Sequence, residues 1–206
     1  MVKSLTIALA ATLLTSAAAA SVSYAGFTFE SDAAFADTVV TYAPGAGVQP
    51  PHDNPAAALG APQLQGGGFP NDVSLGIDGS LVLAFDSPFL TDGPGDDFVV
   101  FEVGSASEPM IVEISTDGVA WTLVGQTPAG GAQPLDLNGI GQPGDTFPFV
   151  RLTNASTLTG SPYAGADVDA VGLLNTGTTP VVPEPAGTAL FAGMAVLLAA
   201  ARRNRR

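Results

Sequence analysis

The chain has 206 residues, 46% of them hydrophobic, no cysteine, and nineteen acidic side chains against six basic ones, for a formal charge of −13. The missing cysteines exclude a disulfide framework, and the acid excess excludes nucleic-acid binding, because too few bases are present to neutralise phosphates. A single histidine likewise excludes a histidine-rich zinc site.

Lys3, the chain's one lysine, precedes the apolar stretch Leu5 to Leu14, and small residues follow. This layout predicts a secretory signal peptide over residues 1–25. Ala18-Ala19-Ala20 and Ser23-Tyr24-Ala25 both fit a small-x-small cleavage pattern. The cut therefore falls between Ala20 and Gly26, and the sequence does not choose the bond.

Residues 26–174 form one domain by length, with an expected all-β fold. Short β-branched and aromatic runs alternate with Gly, Pro, Asp and Asn, and no long stretch repeats at helical period. Phe27 to Phe29 and Asp37 to Tyr42 are the first predicted strands. Gln49 to Gly68 reads as a loop, with one helical turn at Pro55 to Leu59 that Asn54 caps. Val73 to Leu75, Leu81 to Phe85 and Phe98 to Val103 follow as strands. The last two are almost wholly apolar and are expected centrally in a sheet. Met110 to Thr116 and Val119 to Val124 flank Asp117-Gly118, a pair suited to a tight hairpin turn. Val119, Trp121 and Leu123 share parity and are expected to face inward. Gly125 to Asp145 reads as loop, Phe147 to Thr153 and Ala170 to Leu174 as the last strands, and residues 175–181 as a linker. Some nine strands without a fixed repeat predict a two-sheet antiparallel sandwich of the jelly-roll type.

Of the nineteen acids only Glu184 lies outside this domain, and of the six bases only Arg151 lies inside, leaving eighteen acids against one base. Carboxylates are hard oxygen ligands, so the functional reading of this excess is calcium. Asp92, Asp96 and Asp97 with Glu102 form one candidate group, because Gly93 and Gly95 allow a tight backbone. Asp167 and Asp169 form another, since residues two apart on a strand share a face. Without a ligand, the first group reads as a solvated turn and the second as ordinary strand-end acids. Arg151 has two uses on offer: an ion pair within the domain, or a contact to an acidic sugar or other carboxylate ligand. Catalysis has little support, because His52 is the one histidine and no nucleophile motif accompanies it. A carboxylate-pair glycosidase remains open on composition alone.

The chain closes on Val182-Pro183-Glu184-Pro185, an uncharged apolar run from Ala186 to Ala201, and Arg202-Arg203-Asn204-Arg205-Arg206. As a helix the run would span roughly 24 Å, slightly short of a bilayer core of about 30 Å. The arginines resist translocation and would remain cytoplasmic. This order of features resembles the PEP-CTERM sorting tail of Gram-negative surface proteins. The resemblance implies transient anchoring in the inner membrane through the C-terminal helix. It also implies cutting near Pro183–Pro185 by an exosortase-type membrane protease and delivery to the surface or outside.

Several segments of the domain resemble secreted bacterial sandwich proteins of discoidin-like or galactose-binding-like form. They are Asn54-Pro55 with Leu59 to Pro62, Ser74 to Gly76, Leu81 to Phe85, Gly93 to Glu102, Glu113 to Gly118 and Asp167 to Gly172. This resemblance implies a fold and a location more than an activity. The expected function is a non-enzymatic, structural or adhesive surface domain, with extracellular polysaccharide as a partner. The alternatives are a calcium-dependent carbohydrate-binding module and a small secreted polysaccharide hydrolase.

Overall fold

The computed structural model describes residues 20–63, 71–103, 108–127, 130–160, 162 and 164–178. The strands are β1 (Val22–Tyr24), β2 (Phe27–Phe29), β3 (Thr38–Ala43), β4 (Val73–Ser74), β5 (Ser80–Ala84), β6 (Phe89–Leu90) and β7 (Phe98–Glu102). They continue with β8 (Met110–Ser115), β9 (Thr122–Gln126), β10 (Gly131–Leu135), β11 (Phe149–Asn154), β12 (Asp167–Leu173) and β13 (Thr176–Gly177). The described chain is thus mostly β, with two short 3₁₀ turns at Asp32–Ala34 and Pro55–Ala58. Asn54 caps the second turn as expected, its Oδ1 accepting from Ala56 N at 3.2 Å.

All named pairings are antiparallel. One sheet runs β10-β7-β12-β4 and the other β3-β5-β11-β8-β9, with β1-β2 and β13-β6 as two-stranded additions. Both large sheets feed a single apolar cluster, to which β5 gives Leu81 and Leu83, β7 gives Phe98 and Phe101, β8 gives Ile114, and β11 gives Val150 and Leu152. Each such side chain, fully buried, contributes about 1.5–3 kcal/mol. With no disulfide in the chain, this interior and its ladders hold the fold.

The five-stranded sheet obeys a simple rule: β11 alternates half-buried and buried residues along its whole length, one face inward and one toward water. Across its outer face the register aligns Thr41, Val82, Arg151, Glu113 and Leu123, one from each strand. In the four-stranded sheet, by contrast, β7 and β12 are buried at every position. The β1-β2 hairpin and the Asp32–Ala34 turn explain this for one face. Phe29 and Phe35 lie 4.7 Å apart by ring centroid and within about 6.3 Å of Phe101. Gly172 permits the approach, because a Cβ there would meet Phe35 at 2.5 Å and Phe29 at 2.7 Å.

Several expectations need correction. Val22–Tyr24 lies in residues 1–25 yet pairs with β2, so the folded region begins before Gly26. Gly131–Leu135, within the stretch read as loop, pairs with β7 as an edge strand, where Pro134 is tolerated because its missing N–H faces no partner. Thr176–Gly177, within the stretch read as linker, pairs with β6. Leu81 to Phe85 and Phe98 to Val103 are each interior, but in different sheets.

The β8-β9 hairpin is present, but its turn is not the tight one expected. Pairing ends at Ile114↔Thr122, and the loop between is organised by side chains. Ser115 Oγ accepts from Asp117 N and Gly118 N, while Asp117 Oδ1 accepts from Val119 N and Ala120 N, both at 2.8 Å. Those amides hold the Asp117 carboxyl below its ordinary range. The inward placement of Val119, Trp121 and Leu123 is also overturned. Val119 is 81% and Leu123 60% exposed, and Trp121 is half-buried beside Arg151.

Candidate functional site

The two ends of β7 carry two separate acidic groups. Asp97 precedes the strand and Glu102 closes it, so at about 3.3 Å per residue they lie roughly 16 Å apart. One ion cannot take both, and the expected grouping of Glu102 with Asp92, Asp96 and Asp97 is not formed.

At the first end, Asp97 is buried and functions as a backbone knot. Its Oδ1 accepts from Gly93 N at 2.7 Å and Asn175 Nδ2 at 2.8 Å, and its Oδ2 accepts from Leu137 N at 2.8 Å. Its own amide donates to Leu135 O, and its carbonyl accepts from Leu174 N and Asn175 N. Three chain segments far apart in sequence therefore meet on one residue. Burial raises the Asp97 carboxyl above its ordinary range, against the opposing pull of those donors.

Asp92 and Asp136 flank this knot. Among the described residues, Asp92, Asp97 and Asp136 form the group whose carboxylate oxygens lie within 4.8 Å of one another. Calcium binds oxygens at about 2.3–2.6 Å, so two oxygens on opposite sides of one ion are about 5 Å apart. The span suits calcium. Asp96 is exposed and offers its backbone carbonyl to Asn175 Nδ2 at 3.1 Å.

At the second end the acids are buried. Asp72, Glu102, Glu108, Asp167 and Asp169 are all almost wholly excluded from solvent, together with His52. His52 Nδ1 and Asp72 Oδ2 are 2.8 Å apart. Ser74 Oγ donates to Asp167, and Tyr42 Oη donates to Ser74 O at 2.6 Å. Glu102 Oε2 accepts from Gly131 N at 3.0 Å, while Oε1 has no hydrogen-bond partner among the described residues.

Desolvation disfavours the charged forms here. It pushes Asp167 up to about 8, with Asp72, Glu108 and Glu102 adding like charge. Glu102 rises to about 7 for the same reason, and Glu108 rises too. Near neutrality this end of the sheet is therefore partly protonated.

Asp167 and Asp169 do not act as a pair. The ladder slips between Val168 and Ala170, which makes Asp169 the extra residue of a bulge. Asp167 is held by Ser74, and both Asp169 oxygens accept from Gln63 N at 3.0 and 3.2 Å.

Arg151 lies on the outer face of the five-stranded sheet. Its Nε donates to Glu113 Oε2 at 2.6 Å, and its guanidinium carbon sits 4.4 Å from the centre of the Trp121 ring. Register explains the first contact, since Arg151 is directly opposite Glu113. The ion pair within the domain, one of the two uses read from the sequence, is present.

Val182, Pro183, Glu184, Pro185, Arg202 and Arg203 lie outside the described residues, as does the apolar run between them. Among the described residues, no helix is long and apolar enough to cross a membrane.

Sequence reasoning missed Asp136, Asp72 and Glu108. Asp136 lies in a stretch rich in Gly and Pro, and its meeting with Asp97 depends on β10 pairing with β7. His52 and Asp72 are joined across a loop that carries no motif. No protein-family model, curated protein or solved structure matches the chain.

Proposed function

We propose that this is an exported cell-surface or extracellular-matrix protein, sorted by an exosortase-type system, whose β domain has a structural or adhesive, non-enzymatic role. The observation that carries the reading is the order of the tail: Pro183-Glu184-Pro185, then an uncharged apolar run, then four arginines. The folded domain is compatible with it. Four- and five-stranded antiparallel sheets around one core support a two-sheet jelly roll, and the discoidin-like resemblance belongs to the same proposal. The domain's one base is committed to Glu113 and Trp121.

The test is fractionation of the producing cell with intact-mass measurement. The expected product is extracellular and lacks both the Lys3 leader and the arginine tail. A full-length chain soluble in the cytosol would overturn the reading.

Calcium-dependent carbohydrate binding is the second reading, favoured by the Asp92, Asp97 and Asp136 group. Binding to a glycan array that EDTA abolishes would select it over a purely structural role.

A further inference from the structure

The adhesive reading leaves open which surface meets a partner, and one surface differs from the rest of the domain in charge. On the outer face of the five-stranded sheet, beside the row through Arg151 and Glu113, the register aligns a second row: Ala43, Ser80, Thr153, Ile111 and Gln126. No residue of either row is buried. Arg151 and Glu113 are their only charged members, and the two cancel. Residues 26–174 carry eighteen acids against that one base, so two adjoining rows of zero net charge are an exception on this domain.

The pair at the centre of this face keeps unused hydrogen-bonding capacity. Arg151 Nε donates to Glu113 Oε2, and neither side chain makes a further hydrogen bond among the described residues. That leaves both Nη groups as donors and Glu113 Oε1 as an acceptor. The Trp121 ring holds the guanidinium from one side, 4.4 Å from its carbon to the ring centre. Trp121 is itself half-buried, Ile111 is 37% exposed and Leu123 60%. Apolar spots thus alternate with the hydroxyls of Ser80 and Thr153 and the amide of Gln126.

A donor fork beside a carboxylate oxygen suits a partner that both donates and accepts, as neighbouring sugar hydroxyls do. A carboxylate ligand only accepts, so Glu113 would repel it, and so would the surrounding acids beyond the reach of one arginine. A second copy of the chain brings the same acid excess, and a face half made of polar side chains gives it little apolar area to bury. A neutral sugar chain meets neither obstacle: its hydroxyls match the polar positions and its C–H faces match Trp121, Ile111 and Leu123.

We propose that the outer face of the five-stranded sheet binds a neutral polysaccharide, with the Arg151–Glu113 pair hydrogen-bonding adjacent hydroxyls and Trp121 bordering the sugar ring. This deepens the adhesive reading and rests on it for the class of partner. It needs no metal, because none of these residues belongs to the Asp92, Asp97 and Asp136 group.

The test is affinity electrophoresis of the purified full chain, in mild detergent and EDTA, through gels containing dextran, galactomannan, neutral arabinoxylan or alginate. At least one of the three neutral polymers should retard the parent chain. Arg151→Lys keeps the charge but loses the planar fork, and should weaken that retardation by about tenfold. Thr153→Glu adds a charge on the outer face without touching the core, and should abolish it while the melting temperature stays near that of the parent. No retardation in any neutral gel, or retardation by alginate alone, would overturn the proposal. So would retardation that both variants leave unchanged, or that appears only when calcium replaces EDTA. A full-length chain soluble in the cytosol would overturn the export reading and leave the gel result standing, so the two failures are distinguishable.

Discussion

Glu102 makes the electrostatics of the buried acidic end measurable. Its carboxyl is 2% exposed, one oxygen accepts from Gly131 N, and the other has no partner among the described residues. Burial raises its pKa from 4.5 to about 7. A group raised on folding contributes stability that is fully present below its unfolded pKa and lost as pH rises through the folded value. For Glu102 the window is therefore about pH 4.5 to 7. At about 1.4 kcal/mol per pH unit, the loss across it is about 3 kcal/mol. Asp167, raised to about 8, extends the same trend upward. Glu102→Gln removes the titrating proton while keeping an acceptor for Gly131 N. The stability difference between variant and parent should therefore move by about 3 kcal/mol in the variant's favour between pH 4 and pH 8. Comparing one difference at two pH values cancels whatever fixed cost the amide carries. Urea unfolding of both proteins across that range, in EDTA, measures it. A parent whose stability is flat or rises from pH 5 to 8, or a difference that does not move, refutes the desolvation argument.

Three further outcomes follow from other parts of the structure. Asp97→Ala strands the amides of Gly93 and Leu137 and the Asn175 side chain, and should cost about 3 kcal/mol or more in urea unfolding, with Asp97→Asn falling between. Gly172→Ala drives a methyl into Phe35 and Phe29, and should destabilise by about 1–3 kcal/mol as judged by thermal melting. If Asp92, Asp97 and Asp136 hold calcium, millimolar Ca²⁺ should raise the melting temperature over EDTA, and Asp136→Asn should abolish the rise. No shift in the parent would remove calcium from that group.

Much of the architecture was legible because it is local. The alternation in Phe149–Asn154 and the cap at Asn54 are written in adjacent residues. Trp121 shows where parity alone misleads. Period two groups Val119, Trp121 and Leu123 on one face but does not say which face. The register, Leu123 opposite Glu113 and Glu113 opposite Arg151, assigns Leu123 outward, while Trp121 stacks with Arg151 on that same face and Val119 is 81% exposed. Gly131–Leu135 was illegible for a related reason: its composition suits a turn, and only pairing with β7 makes it a strand.

Composition alone set the chain's acidity and its lack of disulfides, and residue order alone carried the end segments from which export and sorting are proposed. Period-two patterning was enough for antiparallel β structure. Which acids meet was decided only in three dimensions. Asp97 reaches Leu137 N across 40 positions, and Ser74 reaches Asp167 across 93. Strand order and register create those neighbours, and burial then shifts their protonation. A linear string records neither distance nor solvent exclusion, so the same aspartates read alike until the sheets form.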